Sequence, residues 1–332
     1  MFPTLFDSAW IGLDGALAFR LPSYAVAILV GFLAAASLAW RDARTIGFER
    51  RVYVDFAIWM LIVGVLGSRA AHVLIDGMLL DYVHLCIDPF QLEGRALRDS
   101  AACLSNAQCL AEQTRGADIG AICRPEDGLC YPQTDCLRPF KFWAGGMTVY
   151  GGLIGCGIVA VRYVRRYDIS IRQLLDLGGY GIPLGLAFGR LGCFASGCCF
   201  GDVCHVDAFG VQFPVGSTPY QHHYDSHFAA LSQQWEAGVR ASLPVWPTQL
   251  FSSAYAFVIF LIAYFGVRPR KSYDGQVLVV TMVLYAIARF LIELLRADPR
   301  GGALGLTTSQ LISVVILFAA VVLHRRWRGG AV

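Results

Sequence analysis

Charged residues are scarce in this sequence: Asp, Glu, Lys and Arg make up 15% of its 332 residues, whereas 56% are hydrophobic. Water-soluble domains average about 25% charged residues, so this shortage argues against a soluble globular protein. The net charge of +3 says little by itself, and nucleic acid is not an expected partner. The composition predicts a polytopic membrane protein.

A basic segment at the start is also lacking. Arg20 is the only basic residue among the first 21 residues, whereas a secretory signal peptide opens with a positively charged region. We therefore expect the first apolar segment to remain in the mature protein.

Seven apolar segments are long enough to cross a hydrocarbon core, which takes about 20 helical residues. They lie near residues 22–40, 54–75, 143–162, 173–194, 248–266, 275–296 and 303–323. The sequence thus predicts an all-α polytopic membrane protein, with residues 1–332 forming a single domain of seven transmembrane helices. Two long linkers interrupt it, an insertion at 77–141 and a loop at 195–247.

The linkers alternate in charge. Those after the first, third, fifth and seventh segments are basic, whereas residues 76–142 hold ten Asp or Glu against six Lys or Arg. Because basic loops remain in the cytoplasm, we predict that the N-terminus is outside and the C-terminus inside. Both long linkers then lie on the outer side of the membrane.

Six of the eleven cysteines lie in the 77–141 insertion, at Cys86, Cys103, Cys109, Cys123, Cys130 and Cys136. An even number of cysteines in an oxidising compartment is typical of a disulfide framework. A metal site is the alternative, but it requires C-x2-C-like spacing, and these gaps are long and irregular. We predict disulfides, whose pairing the sequence leaves open.

Polar side chains inside the apolar segments share one depth. In the predicted orientation they fall in the outer half of the membrane: Tyr24, Arg69, His72, Tyr150, Arg190, Gln249, Tyr285, Arg289, Glu293 and Arg296. The last four have the spacing of one helical face. Several arginines against one carboxylate leave excess positive charge, which suits a lipid phosphate because guanidinium groups bind phosphate in a bidentate manner. We predict an anion-binding cavity at the level of the outer-leaflet headgroups.

Some of these residues could instead have purely structural roles. Arg296 can snorkel to the interface, Arg69 can bond carbonyls in helix packing, and Tyr24 can belong to an aromatic belt. Glycines at four-residue spacing are typical of close helix packing, and those near Arg190 would also leave room for a headgroup. They are Gly151, Gly155, Gly181, Gly185 and Gly189.

Four motifs carry a resemblance: "GGMTVYGGLIG", "GIPLGLAFGRLGCFASG", "PTQLF" and "YAIARFLIELLR". In order and spacing they resemble the bacterial prolipoprotein diacylglyceryl transferases. The resemblance implies seven spans with the N-terminus outside and a multi-pass protein of the inner membrane whose active site faces the periplasm. It also implies transfer of the diacylglyceryl group of phosphatidylglycerol to the lipobox cysteine of secreted preprolipoproteins, with release of glycerol phosphate.

The candidate site residues combine the positions that match this family with the polar side chains that share the outer depth. Catalytic roles fall to Arg190, Arg289, Tyr150 and Tyr285. Substrate-binding roles fall to Tyr24, Arg69, Gly192, Gly197, Gly201, Gln249, Glu293 and Arg296. The expected partners are phosphatidylglycerol, preprolipoproteins and the bilayer, and we expect a monomer with no metal and no cofactor.

The sequence departs from the family pattern at four positions. Tyr150 stands where the family has a histidine, Cys193 replaces an asparagine, Cys198 an acidic residue and Ser252 a glutamate. A tyrosine with its unperturbed pKa of about 10 is a poor base at neutral pH, so Tyr150 needs a nearby arginine to serve as one. We expect activity to survive these changes.

Other functions remain open at this point. A diverged paralogue acting on another acceptor is the main competitor, and an inactive homologue is another. A thiol–disulfide protein or a metal site would use the cluster Cys193, Cys198, Cys199 and Cys204, the metal site with His222, His223 and His227. The cluster lacks C-x-x-C, so we expect its cysteines to form structural disulfides instead.

Overall fold

The structure, a computed structural model, describes residues 4–7, 20–97, 102–114, 120–141, 146–206, 208–296, 302–303 and 305–329. Most of residues 1–21, on which the absence of a signal peptide was argued, lie outside this part of the chain. The described residues are mostly helical. Their α-helices are α1 Ser23–Ala43, α2 Arg50–Leu74, α3 Leu79–Ile87, α4 Asn106–Thr114, α5 Val149–Tyr167, α6 Ile171–Ser196, α7 Thr218–Ser226, α8 Phe228–Glu236, α9 Thr248–Leu261, α10 Gln276–Ile292 and α11 Thr308–Arg328.

Short elements complete the described fold. A π-helical segment, Ile262–Val267, continues α9, and 3-10 turns occupy Arg44–Ile46, Pro89–Gln91, Arg138–Phe140, Arg268–Arg270 and Glu293–Leu295. The strands pair as two-stranded antiparallel sheets: β1 Thr4–Asp7 with β2 Arg20–Pro22, β3 Ile122–Arg124 with β4 Leu129–Tyr131, and β5 Gly302–Ala303 with β6 Leu306–Thr307.

Each predicted apolar segment overlaps a long helix. Among the described residues, five helical stretches are long and apolar enough to cross a membrane: Ser23–Ile46, Arg50–Leu74, Thr248–Arg270, Gln276–Leu295 and Thr308–Arg328. Helices α5 and α6 match the predicted third and fourth segments but are not in this set. The structure therefore supports a mostly helical, multi-pass membrane protein, and the count of seven spans stays a prediction.

Two helices begin later than their apolar segments do. The third segment was predicted from residue 143, of which 143–145 lie outside the described residues, but α5 begins at Val149. Gly146 precedes it with a φ of 74°, and Thr148 N–H donates to the Ser68 carbonyl at 3.0 Å. Helix α11 begins at Thr308 rather than 303 because Thr307 and Gln310 form a reciprocal capping box.

The chain divides into two compact units. The first comprises residues 1–58, 160–212 and 244–332, and α6 packs there against α1, α9 and α10. A Cβ on Gly31 of α1 would lie 2.7 Å from Phe188 Cβ, so glycine permits this close approach. The buried Asp176 of α6 accepts hydrogen bonds from Gly275 N and Val277 N and so caps the start of α10.

The second unit comprises residues 59–159 and 213–243. A Cβ on Gly151 of α5 would meet the Gly67 carbonyl and Ala71 of α2, and one on Gly155 would meet Val63. The predicted role of these two glycines in close helix packing is thereby confirmed.

The disulfide framework in the 77–141 segment is also confirmed. The bonds join Cys86 to Cys136, Cys103 to Cys123 and Cys109 to Cys130, so all six thiols are used. Two of the bonds tie α4 and Cys103, which precedes it, to the β3–β4 hairpin, around a small cluster formed by Cys103, Cys109, Cys123 and Cys130. The disulfides supply the core that so short a segment lacks.

Candidate functional site

Arg190 lies six residues before the end of α6, within the first unit. Its Nε is buried and finds no hydrogen-bond partner among the described residues, although the side chain lies within electrostatic range of Cys193, Cys199, Tyr255 and Tyr285. A buried donor without an acceptor is unfavourable, and a charged one more so. Arg190 is therefore a candidate binding group for an anion.

Space is available beside Arg190 on one face of α6. A Cβ added at Gly185 would meet nothing within 4 Å, and one at Gly189 would meet only Ile28, at 3.9 Å. A Cβ added at Gly181 would likewise meet only the Cβ of Ala35, at 3.8 Å. At Gly192 the situation is the reverse, because a Cβ there would lie 2.9 Å from Ala27 and 3.0 Å from the Cα of Tyr24.

Arg289 and Glu293 form a buried ion pair at the end of α10. The Arg289 Nη1 to Glu293 Oε2 distance is 2.5 Å, and the second Arg289 nitrogen, Nη2, donates to Ser309 Oγ at 2.8 Å. Thr307 Oγ1 donates to Glu293 Oε1 at 3.0 Å. The two residues are 9% and 6% exposed, so Glu293 is a buried counter-ion of Arg289.

The predicted single helical face from Tyr285 to Arg296 is wrong in its second half. Helix α10 ends at Ile292, Glu293 belongs to a 3-10 turn, and Arg296 is extended, with φ −102° and ψ 140°. The backbone leaves the helix because Leu295 and Arg296 run antiparallel to residues 201–202, with Asp202 N–H donating to the Leu295 carbonyl at 3.0 Å.

Gly201 lies where three segments meet. Its N–H donates to the Trp246 carbonyl at 3.0 Å, and it forms the isolated bridge with Arg296. A Cβ at this position would lie 2.6 Å from the Leu295 carbonyl oxygen and 2.7 Å from Trp246 Cβ. Only glycine fits there, so Gly201 acts by letting Arg296 approach the end of α6.

Helix α6 ends in a turn that returns over its own last residues. Gly197 has a φ of 72°, its N–H donates to the Phe194 carbonyl, and Cys198 N–H donates to the Cys193 carbonyl at 3.1 Å. These bonds define a Schellman motif, in which glycine supplies the left-handed residue. The turn brings Cys198 back towards Cys193 and places both beside Arg190.

Gln249 and Thr248 hold this turn from the start of α9. Gln249 Nε2 donates to the Cys198 carbonyl at 2.9 Å, and Thr248 Oγ1 donates to the Cys199 carbonyl at 3.0 Å. Both side chains are fully buried. Gln249 Oε1 is buried and has no partner among the described residues, so it offers an acceptor at the site.

The expected disulfides among Cys193, Cys198, Cys199 and Cys204 do not form, and this prediction was wrong. All four are free thiols. Cys204 Sγ donates to the Val206 carbonyl, whereas the other three Sγ atoms lie within 4.8 Å of one another. The turn gathers three thiols around one point instead of pairing two at bonding distance.

The thiols outside α6 differ in acidity. Hydrogen bonds from Cys193 and Cys198 hold the pKa of Cys199 below its usual value, with a further contribution from Arg190 and Arg296. Hydrogen bonds with Cys193 and Cys199, together with burial, raise the pKa of Cys198. Cys199 is therefore the more acidic of these two thiols.

The remaining predicted residues divide between the units. Tyr24 lies in the first unit within electrostatic range of Arg190. Arg69 lies in the second, where its buried guanidinium donates to the carbonyls of Arg138, Pro139 and Gly146 at 2.5 to 2.8 Å. Tyr150, also in the second unit, is 57% exposed at the first turn of α5.

No pattern in the sequence points to several of the residues that shape the site. Hydroxyl residues contact the site from segments that are remote in sequence: Thr248, Tyr255, Thr307 and Ser309. Such residues are common, so nothing in the sequence distinguishes these four from the others. The histidines of the metal alternative, His222, His223 and His227, lie in the second unit, where their rings contact one another.

The fold and the site define a class: a helical multi-pass membrane protein in which arginines, one of them lacking a partner for a buried donor, surround the end of one helix. The sequence profile described as prolipoprotein diacylglyceryl transferase matches residues 15–93 and 116–325. The chain belongs to this family.

Individual relatives support this family membership. A phosphatidylglycerol–prolipoprotein diacylglyceryl transferase 2 of Clostridium perfringens is 31% identical over 186 residues, covering 56% of this chain and 64% of the relative. The correspondingly named protein of Neisseria gonorrhoeae is 31% identical over 203 residues, covering 59% of this chain and 68% of the relative. The chain thus spans about two thirds of the length of these relatives.

Proposed function

We propose that this protein transfers the diacylglyceryl group of phosphatidylglycerol to the cysteine thiol of lipobox-containing preprolipoproteins and releases glycerol phosphate. The names of its relatives describe this activity. The observation in the structure that carries the proposal is the buried Nε of Arg190, a cationic donor without a described partner. A phosphodiester supplies the negative charge and the acceptors that this group lacks.

Arg289 and Arg190 differ in the net charge that they can offer to a ligand. Arg289 is already neutralised by Glu293 and fixed by Ser309, so it contributes a rigid, oriented group. Arg190 has no carboxylate partner among the described residues and supplies the net positive charge. We assign Arg190 to the phosphate and Arg289, with Tyr285 one turn before it, to the shape and polarity of the pocket wall.

The chemistry requires such a pocket. The acceptor thiolate attacks the sp3 glycerol carbon that carries the phosphate ester, and the S–C bond forms as the C–O bond breaks. Glycerol phosphate leaves with the electron pair of the broken bond. Negative charge therefore moves from sulfur to the phosphate oxygens, where a preorganised guanidinium stabilises it most in the transition state.

The acceptor thiol needs only modest activation. A free cysteine thiol has a pKa of about 8.5, so a few per cent is thiolate at neutral pH, and nearby arginines raise that fraction. We retain Tyr150 as the candidate that replaces the family histidine. Its exposure leaves it accessible to a substrate.

The finer features of topology belong to the same proposal. We propose seven spans with the N-terminus outside, an inner-membrane location and a site that opens to the outer leaflet and the periplasm. The basic linkers support this orientation, because Arg162, Arg165 and Arg166 close α5 on the side opposite to Arg190's end of α6. We further propose that the protein acts as a monomer.

The test is an assay of purified full-length protein with phosphatidylglycerol vesicles and a lipobox peptide. Arg190→Ala is expected to lower kcat/KM about 100- to 1000-fold, the range for losing one preorganised donor to a developing oxyanion. Arg190→Lys should restore only part of it, because lysine lacks the planar fork. The matched control is Arg165→Ala, an exposed arginine near the end of α5.

Three outcomes would contradict the proposal. One is wild-type protein that releases no glycerol phosphate. Another is full activity in Arg190→Ala, which would remove the phosphate-binding role. The third is release of glycerol phosphate with an unmodified peptide, which would point to a paralogue with another acceptor.

A further inference from the structure

Three cysteine sulfurs converge beside Arg190 without bonding to one another. Cys193, Cys198 and Cys199 each offer one Sγ, and these atoms all lie within 4.8 Å of one another. In the same chain six other cysteines form S–S bonds of 1.91 to 2.04 Å. Unlike those six, the three cysteines of the trio are free thiols.

The backbone holds the three thiols in place. The Schellman turn fixes Cys198 over Cys193, and Cys199 follows with a φ of 60°, one of two non-glycine residues in the described chain with a positive φ. That conformation is unfavourable for an L residue and persists only where surrounding contacts impose it. Those contacts are the buried Thr248 and Gln249, which hold the carbonyls of Cys199 and Cys198.

The donor set is specific in its chemistry. Three thiols and no carboxylate within the trio favour a thiophilic cation such as Zn²⁺ or Cu⁺ over Mg²⁺ or Ca²⁺. Sulfurs bound to one Zn²⁺ lie about 2.3 Å from it, so any two of them are less than about 4.6 Å apart. Because the three sulfurs lie within 4.8 Å of one another, reaching that arrangement requires at most a slight contraction.

The surrounding charge also fits. Three thiolates around a cation of charge +1 or +2 leave a net negative group. Arg296 lies within electrostatic range of Cys199 and would offset this charge, which leaves the charge of Arg190 to the phosphate. Cys193 is 8% exposed, so the site is shielded from solvent on the helix side.

We propose that Cys193, Cys198 and Cys199 form a three-thiolate binding site for a thiophilic d¹⁰ cation, Zn²⁺ or Cu⁺. Binding displaces the thiol protons to solvent and requires no oxidant or reductant. The cation would tie the end of α6 to the turn that follows it, next to Arg190. Cys204 is not part of the site, because its Sγ donates to the Val206 carbonyl.

Metal binding to the full-length protein in detergent tests the proposal. The protein is isolated anaerobically, shown by a thiol count to keep its three disulfides and five free thiols, stripped with a chelator, and titrated separately with Zn²⁺ and with Cu⁺ against chromophoric competitors. One equivalent of at least one cation is expected per chain. Co²⁺ serves as a spectroscopic probe and should give thiolate-to-metal charge-transfer absorption.

Variants separate the trio from the other free thiols. Each of Cys193→Ser, Cys198→Ser and Cys199→Ser is expected to weaken binding at least about tenfold, and the triple variant to abolish it. Cys156→Ser and Cys204→Ser are the matched controls and should bind as wild type does. Saturating cation should raise Tm in wild type but not in the triple variant, and the two cation-free proteins should unfold at similar temperatures.

The proposal is overturned by any of three results. The first is no stoichiometric binding of either cation to the reduced wild type, and the second is equal binding by the triple variant. The third is a disulfide within the trio in anaerobically isolated protein, mapped by mass spectrometry, which would make it a redox pair. None of these readouts involves lipid transfer, so this inference and the proposed function fail independently.

Discussion

Arg289 keeps its charge inside an apolar helix because its partners are arranged around it. Glu293 follows one turn later, and Ser309 and Thr307 reach the pair from the start of α11. Removing one member of a buried ion pair leaves an uncompensated charge, which costs far more than the pair contributes. By the same principle Arg190 favours an anionic ligand, because its buried Nε has no partner in the described chain.

Glu293→Ala is expected to lower the free energy of unfolding by about 3–5 kcal/mol, because it leaves Arg289 buried and unpaired. Thr307→Ala should cost less, about 0.5–2 kcal/mol, for the loss of a helix cap. Thermal and denaturant unfolding in detergent measure both. Glu126→Ala, in an exposed pair with Arg124, is the control and should have no measurable effect. A Glu293→Ala effect no larger than that of Thr307→Ala would contradict the assignment.

At the residue scale, sequence reasoning found the rare groups and missed the common ones. An arginine or glutamate in an apolar segment is conspicuous, so Arg190, Arg289 and Glu293 were predictable. Ser309 and Thr248 were not, because their roles arise only when remote segments are packed together. The fate of Cys193, Cys198 and Cys199 was mispredicted for the same reason, since it depends on the turn at Gly197.

At the element scale, the ends of the helices decide what the site contains. Hydropathy located the interiors of the long helices, but α10 ends at Ile292 instead of 296, and α6 ends in a Schellman turn. Hydrogen bonds from other segments set these ends. The extended backbone at Leu295 and Arg296 pairs with residues 201–202. No local pattern in the sequence predicts this pairing.

Gly201→Ala tests this junction. The added Cβ would lie 2.6 Å from the Leu295 carbonyl oxygen, so the backbone must move and displace Arg296. We expect a loss of stability of about 1–3 kcal/mol, as for overpacked cores, with reduced activity. Gly266→Ala, where a Cβ meets nothing within 4 Å, is the matched control and should be neutral or slightly stabilising. Equal behaviour of the two variants would refute the role of Gly201.

The disulfides of the 77–141 segment give a second prediction at this scale. The Cys103–Cys123 bond closes a sequence separation of 20 residues, and its loss through Cys103→Ser with Cys123→Ser should cost about 2–5 kcal/mol locally. Hydrogen exchange and trypsin cleavage within 102–131 should accelerate, while the long helices remain protected. Cys156→Ser, which removes a free thiol, is the control. Unchanged protection in the double variant would contradict this account.

At the scale of the whole molecule, charge asymmetry between linkers sets the expected orientation. This signal is spread over the entire chain, so it is readable without a structure, whereas the division into two compact units is not. Helices α2 and α5 each contribute to both units, and apolar periodicity gives no hint of such a boundary.

Labelling of introduced cysteines checks the orientation. Ala237→Cys lies in the loop predicted to be periplasmic, and Arg165→Cys lies in a linker predicted to be cytoplasmic; both positions are exposed. In intact spheroplasts an impermeant maleimide should add label to the first variant, relative to wild type, and to the second only after lysis. The reverse pattern would invert the topology and place the site on the cytoplasmic side.

The central claim is transfer of a diacylglyceryl group, and the stoichiometry of its two products tests it most directly. Purified wild-type protein is incubated with phosphatidylglycerol and a lipobox peptide, and both glycerol phosphate and the peptide mass are measured by mass spectrometry over time. The account predicts one glycerol phosphate for each peptide that gains a diacylglyceryl thioether, and loss of both products together in Arg190→Ala. Peptide of unchanged mass, or products that do not appear in equal amounts, would contradict it.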